Sequence, residues 1–315
     1  MVSSLPWNET LRSRIAAAYR QACLSELDAL KPGNVHRFSD GHKMMLEDFV
    51  TSADVSAEPL TRAGLGLGER IYRAVEATRE AVGCNTNLGI LILCAPLVQA
   101  LLEAPADETL PLRERLQRVI RQADAQQTEW LFRAIALASP GGLGQSDRHD
   151  VSEPASVPLI EAMRHAAERD RIARQYATGY ADLFDYALPR LHAFEQCWPR
   201  GSWAVTGLYL DLLARFPDTH IRRKYGLYKA VVTSLHAASL AQGLARAGKP
   251  EHYQLRLLQA DAEFKREVIN PGTSADMTVA TIFLAYLESM LPAFEQKTGN
   301  SRVRDARPDG VGVRS

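Results

Sequence analysis

The sequence has few aromatic residues, no surplus of either charge and no long hydrophobic run. Aromatic residues make up 7% of the 315 residues, whereas all hydrophobic residues make up 46%. A core built from Ala, Leu, Val and Ile suits the packing of helices on helices. Basic and acidic residues number 37 each, so no overall field attracts nucleic acid or an anionic membrane. We therefore expect neither as a partner.

Cysteine is also scarce, and its spacing matches no metal-binding or redox motif. The four copies are Cys23, Cys84, Cys94 and Cys197, and we expect them to be reduced and mostly buried. The N-terminal segment lacks the apolar region of a signal peptide, and the most hydrophobic stretch, 88–102, is too short and interrupted to span a membrane. These absences predict a cytoplasmic protein.

Apolar residues recur with a helical period along most of the chain, and no segment alternates as a strand would. The predicted helices cover 9–30, 49–67, 69–82, 88–102, 110–123, 128–138, 159–188, 203–216, 225–247, 252–268 and 277–287. The sequence therefore predicts an all-α fold with a single compact domain over 1–296. The tail 297–315 has no apolar face and is predicted to be disordered. A homodimer is left open.

A polar loop follows the first predicted helix. Lys31 precedes Pro32-Gly33, which stops a helix, and Asn34, His36, His42 and Lys43 follow. One interpretation is an ordinary solvated connection, since loops accept polar residues readily. The other is that these side chains serve a site.

Two further stretches place polar residues at predicted helix starts. Asn85 and Thr86 precede the apolar run 88–102, and both residue types favour helix caps. Pro271-Gly272 is followed by Ser274 and by Asp276, which we place in the first turn of the last helix. Asp276 is either a functional carboxylate or only a capping acid.

The segment Pro140–Pro158 breaks the helical pattern with several glycines. Long irregular loops inside a domain are commonly functional or disordered. We expect a lid that contributes Asp147, His149 or Asp150, or else a surface insert. The chain contains no zinc signature and no glycine-rich phosphate loop, so a nucleotide site would have to be assembled between helices.

Six short motifs occur in the order found in one enzyme family. They are Lys31-Pro-Gly33, His42-Lys-Met-Met45, Asn85-Thr86 with Gly89, Gly142-Leu-Gly144, Asp218-Thr219 before Gly226, and Pro271-Gly-Thr-Ser-Ala-Asp276. In this the chain resembles the triphosphoribosyl-dephospho-CoA synthases. The resemblance implies an all-helical transferase that moves the triphosphoribosyl group of ATP onto a ribose hydroxyl of dephospho-CoA and releases adenine.

The resemblance also has gaps, where charged family residues are replaced. The family pattern Asn-Thr-His-Lys-Gly becomes Asn85-Thr86-Asn87-Leu88-Gly89, and Gly-x-Arg-Gly-Glu ends in Leu143-Gly144-Gln145. His36 and Met44 stand where the family has aspartates. These changes predict that donor or acceptor differs from ATP and dephospho-CoA. A transfer step in the synthesis of a one-carbon cofactor of the tetrahydromethanopterin type is the alternative.

The chemistry that the resemblance implies assigns roles to the polar residues. Asp276 would stabilise an oxocarbenium-like sugar or a magnesium ion, and His36 or His42 would act as the base. The predicted substrate-binding residues are Lys31, Asn34, Lys43, Asn85, Thr86, Arg223, Lys224 and Ser274, with Arg222 as a further phosphate ligand. Mg²⁺ is the predicted cofactor, held by Asp150, Asp218 and Asp276, and ATP is the predicted co-substrate. The partners would be a small-molecule nucleotide and a cofactor precursor.

A non-catalytic helical binding protein remains the competing hypothesis. The lost arginine and lysine favour it, since a protein without chemistry needs no phosphate ligands. The polar residues kept at so many predicted helix ends favour an enzyme.

Overall fold

Helices form nearly all of the regular structure. The structure is a computed structural model that describes residues 6–104, 109–139, 151 and 153–291. The α-helices are α1 (Pro6–Leu27), α2 (Leu46–Thr61), α3 (Leu67–Val82), α4 (Leu88–Leu102), α5 (Leu112–Gln122), α6 (Ala125–Ala138), α7 (Leu159–Ala166), α8 (Arg171–Thr178), α9 (Leu188–Cys197), α10 (Trp203–Arg215), α11 (Thr219–Tyr225), α12 (Leu227–Arg246), α13 (Gln254–Arg266) and α14 (Gly272–Met290). A π-helix, Asp182–Ala187, leads into α9, and a 3-10 helix, Pro250–Tyr253, precedes α13. Within the described ranges no strand is present, and the all-α prediction is confirmed.

The predicted helix over 159–188 is wrong, because two local signals break it. Asp170 accepts hydrogen bonds from the amides of Ile172 and Ala173 and so caps a new helix, α8. Gly179 then ends α8 in the left-handed conformation, with φ 62°. The run of charges around Asp170 had suggested only a solvated helix face.

The short helix α11 was not predicted, and it starts at the residue proposed as a metal ligand. Asp218 accepts hydrogen bonds from the amides of His220 and Ile221, at 2.9 and 3.1 Å. A side-chain acceptor at this position satisfies amides that have no partner within the first turn. The sequence pattern contained this cap, but seven residues are too few to show a helical period.

Two apolar helices, α4 and α14, lie at the centre of the larger hydrophobic cluster. Nearly every residue of α4 is buried, and α14 is buried along most of its length. Pro96 within α4 has no amide hydrogen for the carbonyl of Ile92, and the Tyr176 hydroxyl donates to that carbonyl instead, at 2.7 Å. A second cluster packs α10, α12 and α13 around residues such as Leu213, Leu240 and Phe264.

Several predictions fall on the remaining residues. The tail 297–315 and the lid residues Asp147, His149 and Asp150 lie outside the described residues. No helix in the described ranges is both long and apolar enough to cross a lipid bilayer.

Candidate active site

The first turns of four helices surround one cavity. Its volume is about 720 Å³, and α4, α8, α11 and α14 all contribute residues near their N-termini. Unpaired amides and the helix dipole make such ends favourable for anions. The polar lining comprises Glu26, Asn34, Arg79, Asn85, Thr86, His165, Arg169, Asp170, His220, Arg222, Arg223, Asn270, Thr273 and Asp276. The opposite side is apolar, with Leu131, Phe132, Ile135 and Met163 from α6 and α7.

Asp276 lies in the second turn of α14 and faces this cavity. The prediction that it lies in the first turn, where it could serve as a cap, is therefore wrong: α14 begins at Gly272, so Asp276 is its fifth residue, and the first turn contains no acidic residue. The carboxylate accepts no hydrogen bond from the described residues. Its Oδ2 instead lies against the Cα of Gly89 in α4, where any Cβ would overlap it. Gly89 thus admits the carboxylate to the cavity.

The environment of Asp276 favours its neutral form. Burial raises the pKa of Asp276 well above the usual range of an aspartate, and the carboxyl groups of Asp218, Glu26 and Asp170 raise it further. Arg223 opposes them. A cation that enters the cavity would stabilise the ionised form, so this carboxyl group can exchange its proton for a positive charge.

Behind Asp276, a buried ion pair supports the wall of the cavity. Lys31 is fully buried; it pairs with Glu26 and donates to Asn34 Oδ1 at 3.0 Å. Asn34 Nδ2 in turn donates to Asn270 Oδ1 at 2.8 Å. Burial lowers the pKa of Lys31, and Glu26 opposes this. Lys31 therefore holds two cavity residues in place and does not itself line the cavity.

Asp218 is the link between α11 and α14. While Oδ1 caps α11, Oδ2 accepts from both the amide and the hydroxyl of Ser274, each at 2.8 Å. Burial raises the pKa of Asp218, although these hydrogen bonds oppose the shift. Each carboxylate oxygen of Asp218 thus accepts two hydrogen bonds. This favours a structural role for Asp218 and Ser274 over the predicted metal and substrate roles.

Two arginines of α11 extend into the cavity. Arg223 pairs with Asp170 Oδ2 at 3.3 Å, and Arg222 Nη1 donates to the carbonyl of Glu168 at 2.9 Å. Asp170 thus caps α8 with one oxygen and fixes Arg223 with the other. The arrangement places guanidinium groups where an anionic substrate would lie.

Like His165, His220 lines the cavity. Burial lowers its pKa to about 4, assisted by the charges of Arg223 and Lys224. The imidazole is consequently neutral near pH 7 and able to accept a proton. Because α11 was not predicted from the sequence, the histidines of the loop after α1 were proposed as the base instead of His220.

The two histidines proposed as bases lie outside the cavity lining. His36 is fully buried, with Nε2 3.3 Å from Asp261 Oδ1. His42 Nε2 donates to the carbonyl of Gly33 at 2.7 Å. Asp261 of α13 also accepts from the Gly33 amide, at 2.9 Å, so His36 and Gly33 attach the loop to α13, whereas His42 bonds within the loop. Burial lowers the pKa of each.

Two of the predicted phosphate ligands are on the surface. Lys43 is exposed, and the exposed Lys224 lies over the ring of Tyr225; neither lines the cavity. Long cationic side chains on the surface are ordinary, so the sequence did not distinguish these from Arg223.

Asn85 and Thr86 do line the cavity, where they also fix the start of α4. Asn85 Oδ1 accepts from the amide of Leu88 at 3.2 Å. Thr86 Oγ1 bonds to Ser52 Oγ of α2 at 2.6 Å. The predicted capping role is thereby seen for Asn85, and the Asn85 amide nitrogen remains available to the cavity.

Sequence reasoning missed Glu26 and Asp170. Glu26 interrupts the apolar end of α1 five residues before Lys31, and a lone acid at that point was the available signal. Asp170 was hidden in a run of charges. In the described ranges, no group of three or more His, Cys, Asp or Glu side chains is arranged to hold a metal ion.

The fold of this chain also occurs in a solved structure. No curated protein matches the chain. A crystal structure from Archaeoglobus fulgidus, of a protein assigned as a triphosphoribosyl-dephospho-CoA synthase, has 23% identity and a TM-score of 0.57, covering 76% of this chain and 97% of that one. At this identity the likeness shows the fold alone.

The family comparison covers almost the whole of the described structure. The model of the ATP:dephospho-CoA triphosphoribosyl transferases matches residues 12–293, which include every cavity-lining residue. The family is one of enzymes, and this decides against the non-catalytic binding protein. The chain therefore belongs to the family of ATP:dephospho-CoA triphosphoribosyl transferases.

Proposed function

We propose that the cavity transfers the triphosphoribosyl group of ATP to a hydroxyl group of a cofactor precursor, with Asp276 beside the reacting sugar carbon. The observation that carries the proposal is an unpaired carboxyl group among helix N-termini and arginines. In the reaction the C1′–N9 bond of ATP breaks and adenine leaves with the electron pair. A new bond then forms between C1′ and the acceptor oxygen.

The raised pKa of Asp276 suits the departure of adenine. A protonated carboxyl group can give its proton to the leaving base and is then an anion beside a positively charged sugar. The same group thereby serves as acid first and as electrostatic stabiliser afterwards. Gly89 provides the space that lets the carboxyl group reach the sugar.

His220 takes the proton of the acceptor hydroxyl. Its neutral form is able to do so, but a pKa of about 4 makes it a weak base. A bound triphosphate would neutralise the charge of Arg223, which helps to lower that pKa, and would raise the basicity of His220. Substrate binding thus prepares the base.

The two sides of the cavity match the two parts of the donor. Arg222, Arg223 and the helix N-termini suit the triphosphate. The apolar surface of Leu131, Phe132 and Ile135 suits the flat adenine base.

Magnesium is compatible with these residues as a companion of the triphosphate. Mg²⁺ commonly takes one or two carboxylates and completes its coordination with phosphates and water, so the lack of a three-residue cluster in the described ranges does not conflict with it. Among the described residues, Asp276 is the cavity carboxyl group without a hydrogen-bond partner, and in its ionised form it could bind the ion. Bound Mg²⁺ would neutralise phosphate charge.

The residues of the cavity wall also bear on which acceptor is used. Leu88 lines the cavity where the resembling family pattern has a lysine, so one cation is absent from the wall that faces the substrates. This favours an acceptor with fewer phosphate charges than dephospho-CoA, for which a precursor of a one-carbon cofactor is the second candidate.

Adenine release tests both candidates. Pure protein with ATP and Mg²⁺ is incubated with dephospho-CoA, and free adenine and the conjugate are measured by liquid chromatography and mass spectrometry. Adenine that appears only with dephospho-CoA supports the family acceptor. Adenine that appears only with pterin-type precursors supports the second candidate, and no adenine with either class contradicts the proposed reaction.

A further inference from the structure

The outward face of α12 is apolar. Leu227, Tyr228, Val231, Val232 and Leu235 are all exposed, with Tyr228 at 83% and Leu235 at 67% of full exposure. At 100° per residue these five positions lie within about 140° of one another on the helix. The core-facing positions of α12, which are Ala230, Thr233, Ser234, Ala237, Leu240 and Leu244, lie on the other side. Over the first half of α12 the outward face is therefore the apolar one, since the core-facing side there includes Thr233 and Ser234.

The exposed apolar residues of α12 are part of a larger continuous apolar surface. Tyr225 and Val268 continue it, since the Tyr225 hydroxyl donates to the carbonyl of Val268 at 3.0 Å and both side chains are exposed. Together the seven side chains leave on the order of 600 Å² in water, near the upper limit for a monomer and close to the ~800 Å² that each partner gives to a standard interface.

The charges around the stripe point to a second copy of the same chain. In a two-fold interface each residue faces its own counterpart or a near neighbour, so a charged side chain on the stripe would meet its like. The five exposed positions carry no charge, and the neighbouring Lys229 is turned aside to pair with Glu267.

We infer that the chain forms a two-fold homodimer through the exposed face of α12. Two α12 helices cross near Val231 and Val232, and Leu235 of each lies over Leu227 and Tyr228 of the partner. Gly226 joins α12 to α11, so the interface begins one turn from Arg222 and Arg223 in the cavity wall. The inference is independent of the identity of the acceptor.

Sedimentation of matched variants tests the interface. The full chain is expected to sediment at twice 34.8 kDa at micromolar concentration. Leu235→Glu and Tyr228→Glu should weaken the dimer at least about 100-fold, since each buries an unpaired carboxylate against apolar side chains of the partner. Both positions are exposed, so folding is expected to be unchanged, and circular dichroism checks this.

The matched control is Leu255→Glu. Leu255 is an equally exposed leucine, at 69%, whereas the polar contacts to α12 come from Arg256 of α13 and from Glu267, which follows that helix. This variant should remain dimeric. A monomeric wild-type chain, a Leu235→Glu dimer of unchanged affinity, or a Leu255→Glu monomer would each overturn the inference.

Discussion

At the scale of single residues, Asp276 is expected to contribute to the pH dependence of the protein's stability. An aspartate in the unfolded chain titrates near ~3.9, whereas the folded pKa is raised. Between these values the folded state binds more protons, so the stabilising effect is complete below the unfolded pKa and is lost as the pH rises. Asp276→Asn cannot ionise and should escape this loss.

We predict that Asp276→Asn melts at a higher temperature than wild type at pH 8, by at least about 2 °C, and that the difference disappears near pH 4. Differential scanning calorimetry of both proteins across this range measures it. A wild-type melting temperature that equals that of the variant at every pH would show that the carboxyl group has an ordinary pKa.

Gly89 tests whether the cavity depends on the close approach of α4 and α14. We predict that Gly89→Ala lowers the transferase rate by at least about 10-fold, because the added methyl group displaces the Asp276 carboxylate. Within a helix the change from glycine to alanine itself favours folding by up to about 1 kcal/mol. Turnover is measured with a thermal melt as the control; a normal rate would mean that Asp276 tolerates the shift.

At the scale of helices, Asp218 is expected to join two elements rather than bind a metal. Asp218→Ala removes four hydrogen bonds from a buried carboxylate and should cost about 2–4 kcal/mol in the free energy of unfolding. Urea denaturation with and without Mg²⁺ measures this. If Asp218 were a metal ligand, Mg²⁺ would stabilise the wild-type protein and would not stabilise the variant.

The proline in α4 yields a matched pair of variants. Tyr176→Phe leaves the Ile92 carbonyl without a partner, since Pro96 has no amide hydrogen, and should cost about 1–3 kcal/mol. Tyr180 donates to the neighbouring carbonyl of Leu93 at 3.0 Å, which the amide of Leu97 can also serve. Tyr180→Phe should therefore cost less. Equal losses in chemical denaturation would contradict this explanation.

The features that the sequence predicted well are those with a regular pattern over many residues. The helices α1 to α6 carry a clear apolar period and were predicted to within a few residues. The caps Asp170 and Asp218 act over two or three residues, and the sequence could not show that they divide the chain there. Asp276, Asn34, Asn85, Thr86 and Arg223 line the cavity, but the place of His220 depends on contacts between α11 and α14, which are 53 residues apart.

At the scale of the whole molecule, the fold brings four helix starts to one cavity and leaves one helix face apolar. The first feature comes from short polar stretches between apolar helices, each of which ends or begins beside α4 or α14. The apolar face lies on α12, which directly follows α11, the helix that supplies Arg222 and Arg223. The proposed phosphate-binding arginines and the proposed dimer interface thus lie next to each other in the α11–α12 segment.

The central claim is that Asp276 acts in the cavity on the sugar of ATP, and the rate of acceptor-dependent adenine release by Asp276→Asn tests it most directly. Asp185→Asn is the control, since it removes an exposed carboxylate that does not line the cavity. We predict at least about a 100-fold loss of rate for Asp276→Asn, as for other groups that stabilise developing charge, and no loss for Asp185→Asn. A fully active Asp276→Asn enzyme would contradict the account.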